Sequence, residues 1–334
     1  MSILVIKPGI STAIQDAGRM GYRSSGVPLS GAMDPFSFAV ANLLCGNSMD
    51  APVLEIALHG LELLFEDDLP VALSGMGSIP TLDDIPLPLN RSLMVRAGSL
   101  LRFLPSASGC RMYLALGGGI NSQSDLGSCS TYETAGLGGN GGRRLQKGDR
   151  IQNGQPSDLC RRILESLGRH EGNAAFGSWG VALRNHPPVK SAFPIRCMKG
   201  PEWDGFETVK REDFFKQSLT VATESNRMGI RLKGMEGLRK EGEEMVSSGV
   251  CPGTVQKAHD GTLLLLMADA QTTGGYPRIA QVAAADIARC AQLRPGDEVR
   301  FIETGLAEAE KALMDMKRGL RILSHAIREK MGRN

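Results

Sequence analysis

GTLLLLMADAQTTGGYPRIA, residues 261–280, is the stretch whose reading decides the fold. Leu263 to Leu266 form an apolar run too short for a buried helix, with Gly261 before it and polar residues after it. Those are the length and flanks of a buried strand. Beyond it come a carboxylate (Asp269), an amide (Gln271) and two hydroxyls (Thr272, Thr273), then Gly274, Gly275, Tyr276, Pro277 and Arg278. A strand that runs out into short donors and paired glycines can present backbone N–H groups to a ligand. A polar turn between two strands has the same composition, so the rest of the chain must weigh the two.

Working outward, similar short segments recur. Ile3 to Ile6, closed by Lys7-Pro8-Gly9, is a strand, and so are 54–58, 61–65, 71–74, 112–116 and 195–198. Turns such as Asp67-Asp68 and Asp83-Asp84 separate them, the pattern of a β meander or barrel. Helices are few. Asp34 caps one that begins at Pro35 and buries Phe38, Ala41, Leu44 and Cys45. A short helical piece covers 160–167. In the tail, Leu306, Leu313, Met316, Leu320, Leu323, Ile327 and Met331 mark a long amphipathic helix, which either covers a barrel face or meets a partner. This order predicts a mainly β chain with some α: a first β-barrel-like domain (1–155), a connector (156–189), a second β-barrel-like domain (190–304) and a C-terminal helix (305–332).

Internal echoes support two related β domains. Arg19-Met20-Gly21-Tyr22-Arg23 matches Arg227-Met228-Gly229-Ile230-Arg231, Ser25-Gly26-Val27-Pro28 matches 248–252 with one insertion, and 147–151 matches 295–299. Two arginine-bearing loops would then line one cleft, unless those arginines simply pair with surface carboxylates.

Composition sets the bounds. The 334 residues are 42% hydrophobic and 22% charged, with a formal net charge of +2 and 5% aromatics. That balance gives no electrostatic or stacking argument for nucleic acid, and no apolar run spans a membrane. The seven scattered cysteines form no CxxC pair and read as free thiols in a reducing, cytoplasmic setting. The five histidines are isolated, so no metal site is expected; His259, just before the central strand, is a turn histidine. There is no Walker A motif, no GxGxxG in a βαβ unit and no GxSxG. The glycine-rich run 136–142 before Arg143-Arg144 is either a phosphate cradle or a hairpin. What remains is a set of carboxylates, amides, hydroxyls and guanidinium groups: Gln15, Asp16, Arg19, Asp34, Asn226, Arg227, Asp269, Gln271, Thr272, Thr273 and Arg278. Such a kit suits a small polar, anionic or amide-bearing substrate.

The segments TAIQDAGRMGYRSSGVPLSGAMD (12–34), SNRMGIRLKG (225–234) and PGTVQKAHDGTLLLLMADAQTTGGYPRIA (252–280) resemble signatures of the biotin-dependent carboxyltransferase family, second-subunit type. GSCSTYETAGLGGNGGRRLQKGD (127–149) and GPEWDGF (200–206) extend the resemblance to nearly the whole chain. It implies cyclophilin-like β-barrel domains. For a stand-alone chain of this size it implies ATP-dependent hydrolysis of 5-oxo-L-proline to L-glutamate with 5-oxoprolinase subunits A and B. The Met-Lys-Met biotinylation signature and an ATP-grasp region are absent, so ATP is expected to be shared with partner subunits and biotin not to be bound covalently. The expected catalytic groups are Asp269, to handle protons, and Arg227 and Arg278, as anion clamps. The expected substrate-binding groups are Gln15, Asp16, Arg19, Asn226, Gln271, Thr272 and Thr273. Two other readings compete: a carboxyltransferase subunit of a urea-carboxylase-like system, and a non-enzymatic antagonist of a kinase-inhibitor protein.

Overall fold

The computed structural model describes residues 1–167, 174–182, 193–235, 237–238 and 245–332. The chain forms two compact units. The first comprises 1–18, 34–187 and 318–334, and the second 19–33 and 188–317.

The first unit opens with β1 (Ser2–Pro8), β2 (Ser11–Gln15) and α1 (Pro35–Leu44), followed by β3 (Val53–Ala57), β4 (Leu61–Phe65) and β5 (Leu69–Gly75). Next come β6 (Ser78–Leu82), β7 (Ile85–Pro86), β8 (Ser92–Val95), β9 (Leu100–Pro105) and β10 (Arg111–Leu116). It finishes with β11 (Arg150–Gln152), α2 (Asp158–Leu167) and β12 (Ala174–Phe176). The strands make two six-stranded sheets, ordered β11-β1-β4-β9-β6-β7 and β12-β8-β5-β10-β3-β2. Their alternating apolar residues meet in one core, with Val5, Leu63, Phe65 and Phe103 from the first sheet against Leu54, Leu73, Leu93 and Leu114 from the second. β5 and β10 are buried along their whole lengths because α1 covers their other face, with the Phe38 and Tyr113 rings edge to face at 6.4 Å. A strand buried on both faces loses the polar alternation and reads as a continuous apolar run. The Asp34 carboxylate caps α1 by accepting the N–H of Phe36 (3.1 Å) and Ser37 (2.9 Å), and Pro35 holds the first helical position. Asp83 and Asp84 take the left-handed turn between β6 and β7, at φ 47° and 69°, which short polar side chains tolerate.

The expected connector is therefore largely part of this unit. β12 pairs with β8, so the region carries a sheet edge rather than a free linker; residues 168–173 and 183–189 of it lie outside the described residues, His170 and His186 among them.

The second unit contains β13 (Phe193–Lys199), α3 (Thr208–Asp213), β14 (Leu219–Val221), β15 (Gly229–Lys233) and β16 (Ser248–Gly249). It continues with β17 (Thr254–Lys257), β18 (Leu263–Leu266), β19 (Thr273–Gly274), β20 (Arg278–Val282), α4 (Ile287–Cys290) and β21 (Glu298–Glu303). Seven strands close a barrel in the order β13-β20-β17-β18-β15-β14-β21, and β16 with β19 forms a separate two-stranded ribbon. Val255, Leu263, Leu265, Ile279, Val299 and Phe301 fill the barrel, with the Phe214 and Phe301 rings stacked at 4.8 Å. The run 263–266 is thus the buried strand its sequence announces.

The helix α5 (Leu306–Gly332) ends the described chain. Of its apolar stripe only Ile327 and Met331 are buried, and Leu306 is 63% exposed. The internal echo holds only in part. Gly148 and Gly296 both turn at positive φ into a strand, as the 147–151 and 295–299 match implies. The two RMGxR segments do not correspond. Residues 19–23 lie in a loop ending in a 3-10 turn, whereas 227–231 enters strand β15, and both belong to the second unit. A five-residue match is short enough to recur on unrelated elements, and it carries no domain symmetry here.

Candidate functional site

Ahead of β15 the Asn226 carboxamide oxygen accepts the N–H groups of Met228 (2.8 Å) and Gly229 (3.3 Å). This side-chain turn aims the Arg227 carbonyl at the Asp269 N–H (3.0 Å) and continues the β15–β18 pairing past the strand ends. The side chains then meet in a fork: Arg227 Nε donates to Asp269 Oδ2 at 2.7 Å and Nη2 to Oδ1 at 3.0 Å. Nη2 also donates to the Gly31 carbonyl at 2.7 Å. Asp269 is 8% exposed, so the pair is bidentate and largely desolvated.

A second fork sits at the start of β20. Arg278 Nε and Nη2 donate to Glu202 Oε2 and Oε1 at 2.8 and 2.6 Å, and the Arg278 N–H reaches Oε2 at 2.9 Å. These bonds hold the Glu202 carboxyl below the usual carboxylate range, against the opposing effect of burial, and raise the Arg278 guanidinium. Gly200 makes the approach possible, because a β-carbon there would collide with the Arg278 carbonyl. The remaining arginine nitrogen, Nη1, donates to the Gly249 carbonyl at 3.0 Å, and Arg23 Nη2 donates to the Val250 carbonyl. Both arginines thus tie down the β16–β19 ribbon, and the Val250 N–H bonded to the Thr272 carbonyl (3.0 Å) extends it. Gln271 and Thr273 are exposed on this segment, Thr272 is half-buried, and Arg19 is fully buried. The exposed His259 meets the Tyr276 ring edge to face at 5.2 Å.

Eight of the residues singled out in the sequence therefore lie in the second unit: Arg19, Asn226, Arg227, Asp269, Gln271, Thr272, Thr273 and Arg278. Gln15 and Asp16 belong to the first and act on the long loop there. The Asp16 carboxylate accepts Ser128 Oγ (2.6 Å), Ser130 Oγ (2.5 Å) and the N–H groups of Cys129 (2.5 Å) and Gly18 (2.8 Å). Gln15 Nε2 donates to the Thr131 carbonyl at 3.2 Å. The glycine-rich run resolves toward the hairpin alternative. Gly138 N–H bonds the Asp125 carboxylate at 2.7 Å, and the N–H groups of Gly136, Gly139 and Gly142 bond Glu133, Cys129 and Gly138 carbonyls. Arg143 is forked to Asp149 and Arg144 is bonded to Glu133. Glu202 lies within the 200–206 segment that extends the resemblance, but its role as a fork partner leaves no local mark, because Arg278 is 76 residues away.

Among the described residues no group of three or more His, Cys, Asp or Glu side chains is placed to hold a metal ion, and no helix is long and apolar enough to cross a membrane. All seven cysteines are free, and Cys251 alone among them is exposed.

Comparison with known proteins adds the family. The model of the carboxyltransferase domain, subdomain A and B, matches residues 25–303. The chain is 38% identical over 314 residues to the C subunit of 5-oxoprolinase from Escherichia coli (strain K12), covering 94% of this chain and 95% of that protein. It is 35% identical to the C subunit of 5-oxoprolinase from Haemophilus influenzae, covering 89% and 90%. The crystal structure of the K. lactis urea amidolyase superposes with a TM-score of 0.85 at 29% identity; the match covers 96% of this chain and 20% of that one.

Proposed function

We propose, from the premise that the chain belongs to the carboxyltransferase domain family with subdomains A and B, that it is the C subunit of an ATP-dependent 5-oxoprolinase. In that role it works with subunits A and B to hydrolyse 5-oxo-L-proline to L-glutamate in the cytoplasm. The observation that carries this reading is the end-to-end match at 38% identity to the E. coli protein. Seven free cysteines fit a reducing compartment. ATP is shared with the partner subunits. The 136–142 loop suits a nucleotide phosphate poorly, since the N–H groups of Gly136, Leu137, Gly138, Gly139 and Gly142 already serve the chain. Covalent biotin has no part in this reading.

The chemistry of the second unit suits an anionic amide. Arg278 at the ribbon and Arg227 beside Asp269 and Gly31 are each oriented by a carboxylate, and in this reading both act as anion clamps. Asp269 handles the proton at the amide, and Gln271, Thr272 and Thr273 contact the amide or its activated form. Asn226 shapes this segment through the turn that aims the Arg227 carbonyl at the Asp269 N–H, Arg19 is buried in the same unit, and Gln15 and Asp16 position the 127–142 loop. The test is reconstitution. The chain alone is expected to make no glutamate, and the complex with both partners is expected to make it only with ATP. Glutamate formation at an unchanged rate when this chain is omitted overturns the reading.

One observation favours a second reading, carboxyl transfer with separate biotin proteins: the TM-score of 0.85 to the K. lactis urea amidolyase. Transfer from a biotinylated carrier to urea in the same reconstitution would select it.

A further inference from the structure

β17 sends Val255 into the barrel, and by alternation its neighbour Gln256 faces outward. Yet Gln256 is 0% exposed. The ribbon covers it: a β-carbon on Gly274 would stand 2.7 Å from Gln256 Nε2 and 3.3 Å from Oε1. The amide's orientation is fixed, because Nε2 donates to the Tyr276 carbonyl at 3.1 Å and a carbonyl can only accept. Oε1 therefore points away from Tyr276, and it has no hydrogen-bond partner among the described residues. Ser248 lies directly opposite Gly274 across the ribbon, and opposed residues of an antiparallel pair project to the same face. Its hydroxyl thus lies on the Gln256 side, where Oγ too is buried without a partner among the described residues. Buried polar atoms are nearly always partnered, and here an unclaimed acceptor and an unclaimed hydroxyl share one face of a two-residue ribbon, where a ligand's donor and acceptor would complete them.

We propose that Ser248 and Gln256 are an amide-reading pair: Gln256 Oε1 accepts the N–H of a small lactam or carboxamide, and the Ser248 hydroxyl donates to its carbonyl oxygen. The groups are matched in kind, since an amide edge offers one donor and one acceptor. Arg278, bonded to the Gly249 carbonyl next to Ser248, favours an amide that also carries a carboxylate. The choice of a lactam rests on the oxoprolinase reading; the donor–acceptor argument does not.

Thermal melts of the full chain test the pair with three probes: 5-oxo-L-proline, 2-pyrrolidinone and N-methyl-2-pyrrolidinone. The first two are expected to raise Tm by about 3 °C at roughly ten times Kd. The N-methyl compound, which has no N–H, is expected to give no shift. Gln256→Met, of similar shape and without the orphaned acceptor, is expected to lose the response while its unliganded Tm holds or rises. Failure of both N–H lactams to shift the wild-type chain overturns the proposal, as does an equal response to the N-methyl compound. Glutamate formation by the reconstituted complex separates the two readings. A complex with Gln256→Met that works at the wild-type rate removes the pair and leaves the oxoprolinase reading standing. Lactam binding by a chain whose complex makes no glutamate does the reverse.

Discussion

At residue scale the two forks set what a substitution does. Glu202 and Asp269 are each held at both oxygens by a guanidinium, and their side chains are only 16% and 11% exposed. Removing one partner leaves the other buried charge uncompensated, so both activity and stability are at stake. Arg278→Ala and Asp269→Asn are each expected to lower the activity of the reconstituted complex about a hundredfold, the cost of a lost transition-state contact of ~3 kcal/mol. Each is also expected to cost about 1–3 kcal/mol of stability in urea titrations. Adding Glu202→Gln to Arg278→Ala is expected to recover part of that stability and none of the activity, a double-mutant cycle that separates orphaned charge from lost chemistry. The pH dependence has a definite sign. Glu202 is held below its ordinary value in the folded chain, so its stabilisation is present above the unfolded carboxylate pKa of about 4.3 and is lost as pH falls through the folded value. Glu202→Gln is expected to flatten that acid limb, measured as urea midpoints between pH 7 and pH 3; an unchanged limb shows that Glu202 contributes nothing to it.

At the scale of elements, what periodicity marks was legible and what long-range pairing makes was not. Leu61-Glu62-Leu63-Leu64-Phe65 announces β4 by alternation, and Asp34-Pro35 announces α1 by capping chemistry. The β16–β19 ribbon has two residues a side, too few to carry a period, so nothing local marks Ser248. Gln256 has the pattern of an ordinary polar strand position, and only the ribbon folded over it makes it buried. Arg227 and Asp269 stand out by residue type, but their mutual fork depends on a register between strands that local sequence does not encode. The same element geometry makes a prediction about glycines. Gly200→Ala is expected to force the 200–202 loop off β20 and cost about 1–3 kcal/mol, whereas Gly249→Ala, with nothing within 4 Å of its β-carbon, is expected to stay within about 0.5 kcal/mol in thermal melts. Equal melts for the two variants would show that the loop has room to yield.

Across the whole molecule the thiols offer a simple readout. Burial pushes Cys45, Cys197 and Cys290 well up and Cys160 up to about 11, and Cys251 alone is exposed. Titration of the native chain with an aromatic disulfide is expected to give one fast-reacting thiol, lost in Cys251→Ser, and seven after denaturation. Two fast thiols would place a second cysteine within reach of solvent. The path of the chain carries a further consequence. Residues 19–33 are spliced into the second unit before the chain returns to the first at Asp34, and Met33, 1% exposed, is packed in the barrel cluster. No single scissor cut in the gene yields an intact half. A fragment spanning 188–317 is expected to remain incompletely folded by near-ultraviolet circular dichroism, and a synthetic peptide of residues 19–33 added in trans is expected to complete it.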